Sequence, residues 1–213
     1  MKEPAVELIE ELRAATRPIH ARIEQLPTAM ELAQGRISLS DYLQLLERLY
    51  WVHASFEFVA MEHPEFAEVW PREATRATAV ARDLAALGGE FPCSPPELVS
   101  RWQQDLRRQG NAAVWAGVGY VLEGSRMGSR MLAGPLARAF GVPPGAGVGL
   151  DYHRDGLNDP VGRWERVRAA LTVLDRGGTN RSHVVFGAAA TFELMVAIHS
   201  DPVPEPYLQP ALV

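Results

Sequence analysis

The stretch 117-GVGYVLEGSRMGSRML-132 reads both as a helix and as its opposite. Val118, Val121, Leu122, Met131 and Leu132 recur at helical spacing, yet Gly117, Gly119, Gly124 and Gly128 stand among them. Each interior glycine weakens a helix by about 1 kcal/mol relative to alanine. At about 100° per residue, Gly117, Gly124 and Gly128 share one face with Val121 and Met131, and Gly119 points elsewhere. A stripe this bare lets something approach the backbone closely. The partner is either a second helix, as in small-residue packing, or a flat ligand.

Outward from this stretch, helix signals recur and strand signals are nearly absent. Ser38 precedes LSDYLQLLERLYWVHASFEFVAMEH, a helix that stops at Pro64. Pro71 opens PREATRATAVARDLAALGG, closed by Gly88 and Gly89. In SPPE, residues 94–97, Ser is the cap, Pro fills the first turn and Glu follows three residues on, and that helix ends near Gly110. The glycine-striped helix follows, to about Gly141. Next come a Gly/Pro-rich loop, GVPPGAGVGLDYHRDGL, a helix started by Asp159-Pro160, and a last helix from about Asn180 to Ser200. With the N-terminal helix this predicts about seven helices in a single all-α domain over residues 1–213, with 201–213 as an extended tail.

Composition narrows the function. Hydrophobic residues make up 47% of the 213, enough for a real core. The net charge of −5 and the lack of any Lys/Arg run argue against nucleic acid as a partner. No apolar run reaches the roughly 18 residues of a membrane span, and the N-terminus lacks the apolar stretch of a signal peptide. Cys93, the single cysteine, permits neither an intrachain disulfide nor a cysteine-based zinc site. These features predict a cytoplasmic protein.

The N-terminal helix, VELIEELRAATRPIHARIEQLP, carries a core stripe of Leu8, Leu12, Ala15, Ile19, Ile23 and Leu26, with His20 at its edge. Arg13 and Thr16, seven and four residues earlier, share the His20 face, as does Glu24, four residues later. Pro18 removes the bond to the Ala14 carbonyl, so the helix either kinks or restarts with Thr16 as cap. A histidine in this position is either a structural residue bonded to a neighbour or a ligand.

Taken together, LRAATRPIHARIE and YVLEGSRMGSRML resemble the heme oxygenases, particularly the bacterial ones associated with bacteriophytochromes. The family pattern is a histidine in the first helix and a Tyr-Val-x-Glu-Gly-Ser-x-x-Gly segment in the distal helix. The resemblance implies a heme oxygenase: heme b, at once cofactor and substrate, is opened by O2 to biliverdin, CO and iron. Electrons would come from a ferredoxin or an NADPH-dependent reductase, and a bacteriophytochrome could accept the biliverdin. It further implies that His20 binds iron through Nε2, that Glu24 holds the other ring nitrogen, and that Gly124 and Gly128, beside Val121, let the distal backbone lie on the porphyrin. Arg13, about 10 Å along the axis from His20, and Tyr120, one turn before Gly124, would hold the propionates and direct cleavage to the IXα isomer. Ser125 stands where animal relatives carry a distal aspartate, and Ser129 where a second glycine is common.

Bland readings remain for several of these residues: Glu24 and Arg13 as solvated helix charges, Tyr120 as a core ring. His53 and His183 read as packed or hydrogen-bonded, His63 and His199 as imidazoliums suited to helix ends, and His153 as a loop residue. Arg163 and Arg166 either face solvent or face the propionates or a reductase. Among rivals, a di-iron oxidase would want a Glu-x-x-His motif, absent from the sequence. A thiaminase-type hydrolase would need a nucleophilic cysteine. A non-catalytic heme carrier or sensor would look nearly identical.

Overall fold

Helix boundaries follow the capping chemistry of the sequence. The Ser38 hydroxyl accepts the Asp41 N–H at 3.1 Å, and the Asn111 side chain accepts Val114 N–H at 3.2 Å. Asp159 accepts Gly162 N–H at 3.0 Å; its φ of 48° is the one left-handed value at a described non-glycine residue. The Asn180 side chain accepts Ser182 N–H at 3.0 Å. Each such cap satisfies a donor that a helix end otherwise leaves unpaired.

The computed structural model describes residues 4–63, 75–91, 93–109, 111–143, 149–154 and 159–200. In chain order the helices are α1 (Pro4–Glu24), α2 (Pro27–Gln34), α3 (Leu39–Glu62), α4 (Arg76–Leu87), α5 (Glu97–Gln109) and α6 (Ala112–Ser129). After a 3-10 turn, Arg130–Leu132, come α7 (Ala133–Ala139), α8 (Asp151–Arg154), α9 (Pro160–Arg176) and α10 (Arg181–Ile198). No strand occurs among the described residues, as the all-α reading expected. Residues 201–213 and Pro71 lie outside the described residues, so the tail and that helix start are not part of this description.

α6 and α10 form the most intimate pair and the centre of the bundle. α10 also packs on α1 and α5, α9 lies against α1 and α6, and α3 packs on α4. The core contains Leu12, Leu46, Val80, Leu106, Val114, Val118, Val184 and Ala188, all fully buried. Burial of a leucine or valine side chain contributes about 1.5–3 kcal/mol. α10 is long and apolar enough to cross a membrane by length and composition alone. Its buried residues, Val184 and Ala188 among them, are enclosed by its helical neighbours, which accounts for its apolarity.

Three expectations need correction. Ala15 is exposed, so the buried stripe of α1 runs through Leu8, Ile9 and Leu12, with Ile19 and Ile23 half-buried. α1 continues through Pro18, and the buried Thr16 hydroxyl donates back to the Leu12 carbonyl at 2.7 Å instead of capping a new helix. The glycine-striped helix ends at Ser129, not near Gly141. Pro135 has no N–H for the Met131 carbonyl, so the chain passes through a 3-10 turn before α7. The short helices α2, α7 and α8, the last inside the expected loop, accompany the seven long ones, in keeping with the reading of about seven.

Candidate functional site

The bare stripe of α6 divides in two. Toward its N-terminal end, a Cβ on Gly117 would collide with the Val184 carbonyl oxygen and lie 2.7 Å from the Ala188 nitrogen of α10. Gly187 of α10 reciprocates, since a Cβ there would strike the Val114 carbonyl oxygen. This end is small-residue helix packing. Two and three turns on, a Cβ at Gly124 would meet nothing closer than the Trp164 ring at 3.9 Å, and one at Gly128 would meet nothing within 4 Å. Gly128 is exposed and Gly124 half-exposed, while Val121 between the two regions is 3% exposed. The Gly124–Gly128 end is therefore bare backbone facing open space.

One edge of this bare face belongs to α1. Tyr120 is buried and bonds to Arg13 and Thr16. A guanidinium can only donate, so the Tyr120 oxygen accepts from Arg13. Burial raises the Tyr120 pKa, with Arg13 and Thr16 opposing that rise. One turn beyond Thr16 stands His20, its side chain 57% exposed, with Nδ1 3.5 Å from the Glu24 carboxylate. The Phe192 ring of α10 meets the His20 imidazole edge-on at 5.7 Å between centroids. Arg22 pairs with Glu193 at 2.8 Å, fastening this end of α1 to α10. The Trp164 ring of α9 lies 5.6 Å from that of Tyr120. A cavity of about 250 Å³ lies between Ile9, Glu10, Arg13, Trp164 and Arg168.

The other edge is Ser125, exposed, whose hydroxyl donates to the Leu122 carbonyl at 2.8 Å. Behind it lies Arg76 of α4, 2% exposed. Its Nη1 donates to Ser125 Oγ at 3.2 Å and to the Leu122 carbonyl at 3.3 Å. Its Nη2 donates to Ser129 Oγ at 3.4 Å and to the Tyr152 carbonyl at 3.3 Å. The guanidinium also lies over the Tyr152 ring, 3.9 Å from its centroid. Ser129 Oγ in turn is 2.7 Å from His153 Nδ1, and His53 Nε2 is 3.1 Å from the Tyr152 hydroxyl. Asp83 accepts the N–H groups of Asp151 and Tyr152 at 2.7 and 2.9 Å and so pins α8 in place.

Arg76, Asp83 and the role of α8 were not foreseen. Arg76 is the first residue of α4, a place where an arginine is ordinarily solvated, and no local signal announces its burial. His153, expected in a loop, is a buried helical residue. His199 is not an imidazolium, since burial pushes its pKa down. His53 and His183 are hydrogen-bonded as expected, His183 through Nδ1 to Asn111 at 2.7 Å. Arg163 lies 3.4 Å from the buried Glu123, which also holds Arg126 at 2.8 Å. Burial pushes the Glu123 pKa up, but Arg126 and Arg163 outweigh it and hold the carboxyl below its ordinary value. Arg166 pairs instead with Asp159 at 3.4 Å.

Comparison with known proteins bears directly on this arrangement. A family model described as Heme oxygenase matches residues 6–201. The chain is 30% identical over 163 residues to a heme oxygenase of Xanthomonas campestris pv. campestris (strain 8004), covering 76% of this chain and 90% of that protein. It is 23% identical over 205 residues to heme oxygenase 1 of Gallus gallus, covering 90% of this chain and 68% of that one. In fold it is similar to the heme oxygenase of Leptospira interrogans, with a TM-score of 0.76 at 22% identity over 91% of this chain and 98% of that chain. It is also similar to heme oxygenase-1 of Synechocystis sp. PCC6803 in complex with heme, with a TM-score of 0.75 at 17% identity over 94% of each chain. A helical bundle with a bare distal face, matched by the family model over nearly its whole length, is a member of the heme oxygenase family.

Proposed function

We propose that this protein opens heme oxidatively to biliverdin, CO and iron, consuming O2 and electrons from an external donor such as a ferredoxin or an NADPH-dependent reductase. One observation carries the reading: Gly124 and Gly128 leave a stretch of helix backbone that faces open space, a cradle that a Cβ would fill. A flat macrocycle can lie against such a surface, and a branched residue there would hold it off. The exposed His20 fits the role of iron ligand. With Nδ1 directed to Glu24, Nε2 is left for the metal.

Bound heme supplies both the O2-activating iron and the ring that is attacked. The chain's own part is to bind and orient the ring. Arg13 and Arg168 bring two positive charges to the cavity they share with Glu10 and Trp164, and a propionate there would receive charge-assisted bonds. Tyr120 holds Arg13 from behind. Since these anchors sit on one edge of the bare face, they select which meso carbon lies beneath the approach of O2, and we assign IXα. Ser125, on the opposite edge, has its proton on Leu122 and Arg76 on one lone pair, so it meets the cleft as an acceptor able to hold a water. A bacteriophytochrome is the biliverdin acceptor suited to this reading.

Hemin titration tests it. A sharp Soret band with a one-to-one endpoint is expected in the wild type, and a changed iron ligation in His20→Ala. Reductant and O2 should then yield biliverdin absorption. A stable ferrous spectrum would identify a carrier or sensor instead.

A further inference from the structure

The hydrogen bonds behind the distal helix have a direction that the guanidinium imposes. Arg76 offers only donors, so Ser125 Oγ and Ser129 Oγ both accept from it. Each hydroxyl must therefore send its proton elsewhere. That of Ser125 goes to the Leu122 carbonyl. That of Ser129 has the His153 Nδ1 at 2.7 Å. An imidazole that accepts at Nδ1 and stays neutral carries its proton on Nε2. We propose that His153 is a positioning residue for the proposed heme chemistry. As the neutral Nε2–H tautomer it takes the Ser129 proton, holds Arg76 between Ser129 and Ser125, and so keeps the Ser125 oxygen facing the cleft as an acceptor.

The surroundings favour the neutral ring, and among the described residues the Ser129 hydroxyl is the side-chain partner of Nδ1 while Nε2 has none. His153 is 4% exposed. The groups around it are Tyr42 of α3, Arg76 of α4, Ser129 of α6 and Tyr152 of α8, with His53 of α3 and Asp83 of α4 held against Tyr152. The Tyr42 ring stacks on the imidazole at 5.9 Å, with 25° between planes. Burial, then the Arg76 charge, push the His153 pKa down to about 3, against an opposing bond to the Ser129 backbone. An imidazolium there would leave Ser129 with two donors facing it and no acceptor for its proton. Asp83 fixes the helix that carries His153, so the imidazole is delivered by backbone anchoring and not by a flexible loop.

The inference rests on the heme reading for its function but not for its geometry, and its test separates the two. In the apo protein, nitrogen-15 NMR of the histidine rings should show His153 as the Nε2–H tautomer, unchanged across neutral pH. The Ser129→Ala variant should lose that fixed tautomer. In the hemin complex, His153→Leu and Ser129→Ala should bind hemin as the wild type does. Both should shift the midpoint of the ferric acid–alkaline spectral transition by about one pH unit, a tenfold change in proton affinity. His153→Asn, which restores an acceptor near the Nδ1 position, should recover the midpoint. A His153 found as the Nδ1–H tautomer, or variants whose midpoints match the wild type, would overturn the proposal. A wild-type chain that takes up no hemin would sink the heme reading, while the tautomer measurement would still decide the hydrogen-bond direction.

Discussion

Gly117 and Gly128 lie on the same face of α6, and substitution by alanine should move them in opposite directions. At Gly128 the new methyl meets nothing within 4 Å. The apo protein then gains helix propensity, about 0.5–1 kcal/mol. For a domain of this size that raises Tm by about 1–4 °C. At Gly117 the methyl strikes the Val184 carbonyl oxygen and the Ala188 nitrogen of α10. Both are backbone atoms that cannot rotate aside, so α6 and α10 must separate along the most extensive helix contact in the protein. Overpacking costs about 1–3 kcal/mol, here at the upper end. Less the propensity gain, the net loss is about 2 kcal/mol, or about 4–8 °C. Function reverses the order. A methyl between a rigid ring and the backbone carries a similar overpacking cost of about 1–3 kcal/mol, so Gly128→Ala should lose roughly 5- to 150-fold in hemin affinity or ring opening. Gly117→Ala, where still folded, should bind hemin normally. Thermal unfolding of the apo proteins and hemin titration check both halves. A destabilised Gly128→Ala, or one that binds and opens heme like the wild type, would refute the division of the stripe.

Removing both ring anchors, as Arg13→Ala with Tyr120→Phe, should convert a predominantly IXα product into mixed isomers on chromatography. A charge-assisted bond contributes about 1.5–3 kcal/mol, and about 1.4 already gives a tenfold preference. Burial raises the Asp83 pKa from 3.8 to about 6, against the two backbone N–H bonds. The folded state thus holds this proton more tightly than the unfolded chain. Stability should fall, by about 3 kcal/mol in all, as pH rises from about 4 to about 6. Asp83→Asn should remove this part of the slope in urea unfolding at a series of pH values. Parallel profiles for the two proteins would contradict the assignment. Glu123→Gln leaves the charge of Arg126 buried without its carboxylate partner, and should cost about 3–5 kcal/mol in the same assay.

Caps, prolines and apolar periodicity are local properties, so the sequence alone determined the all-α class and most helix boundaries. Ser38, Asn180 and Pro160 act through the few residues next to them. The paired motifs around His20 and Gly124 carried the family, because those residue types at that spacing are rare by chance. The meaning of the glycine stripe was not local. Gly117 and Gly128 are equivalent on a helical wheel, and α10 alone makes one a packing surface and leaves the other open. The same holds for Arg76. Its burial depends on hydroxyls and carbonyls from Leu122 to Tyr152, dozens of residues away in sequence. The sequence likewise offered no way to see His153 as anything but a loop residue, because Asp83 of α4 anchors the short helix that carries it. Burying a charge or an imidazole is tolerable only where distant groups supply its hydrogen bonds, and the tertiary fold alone brings those groups together.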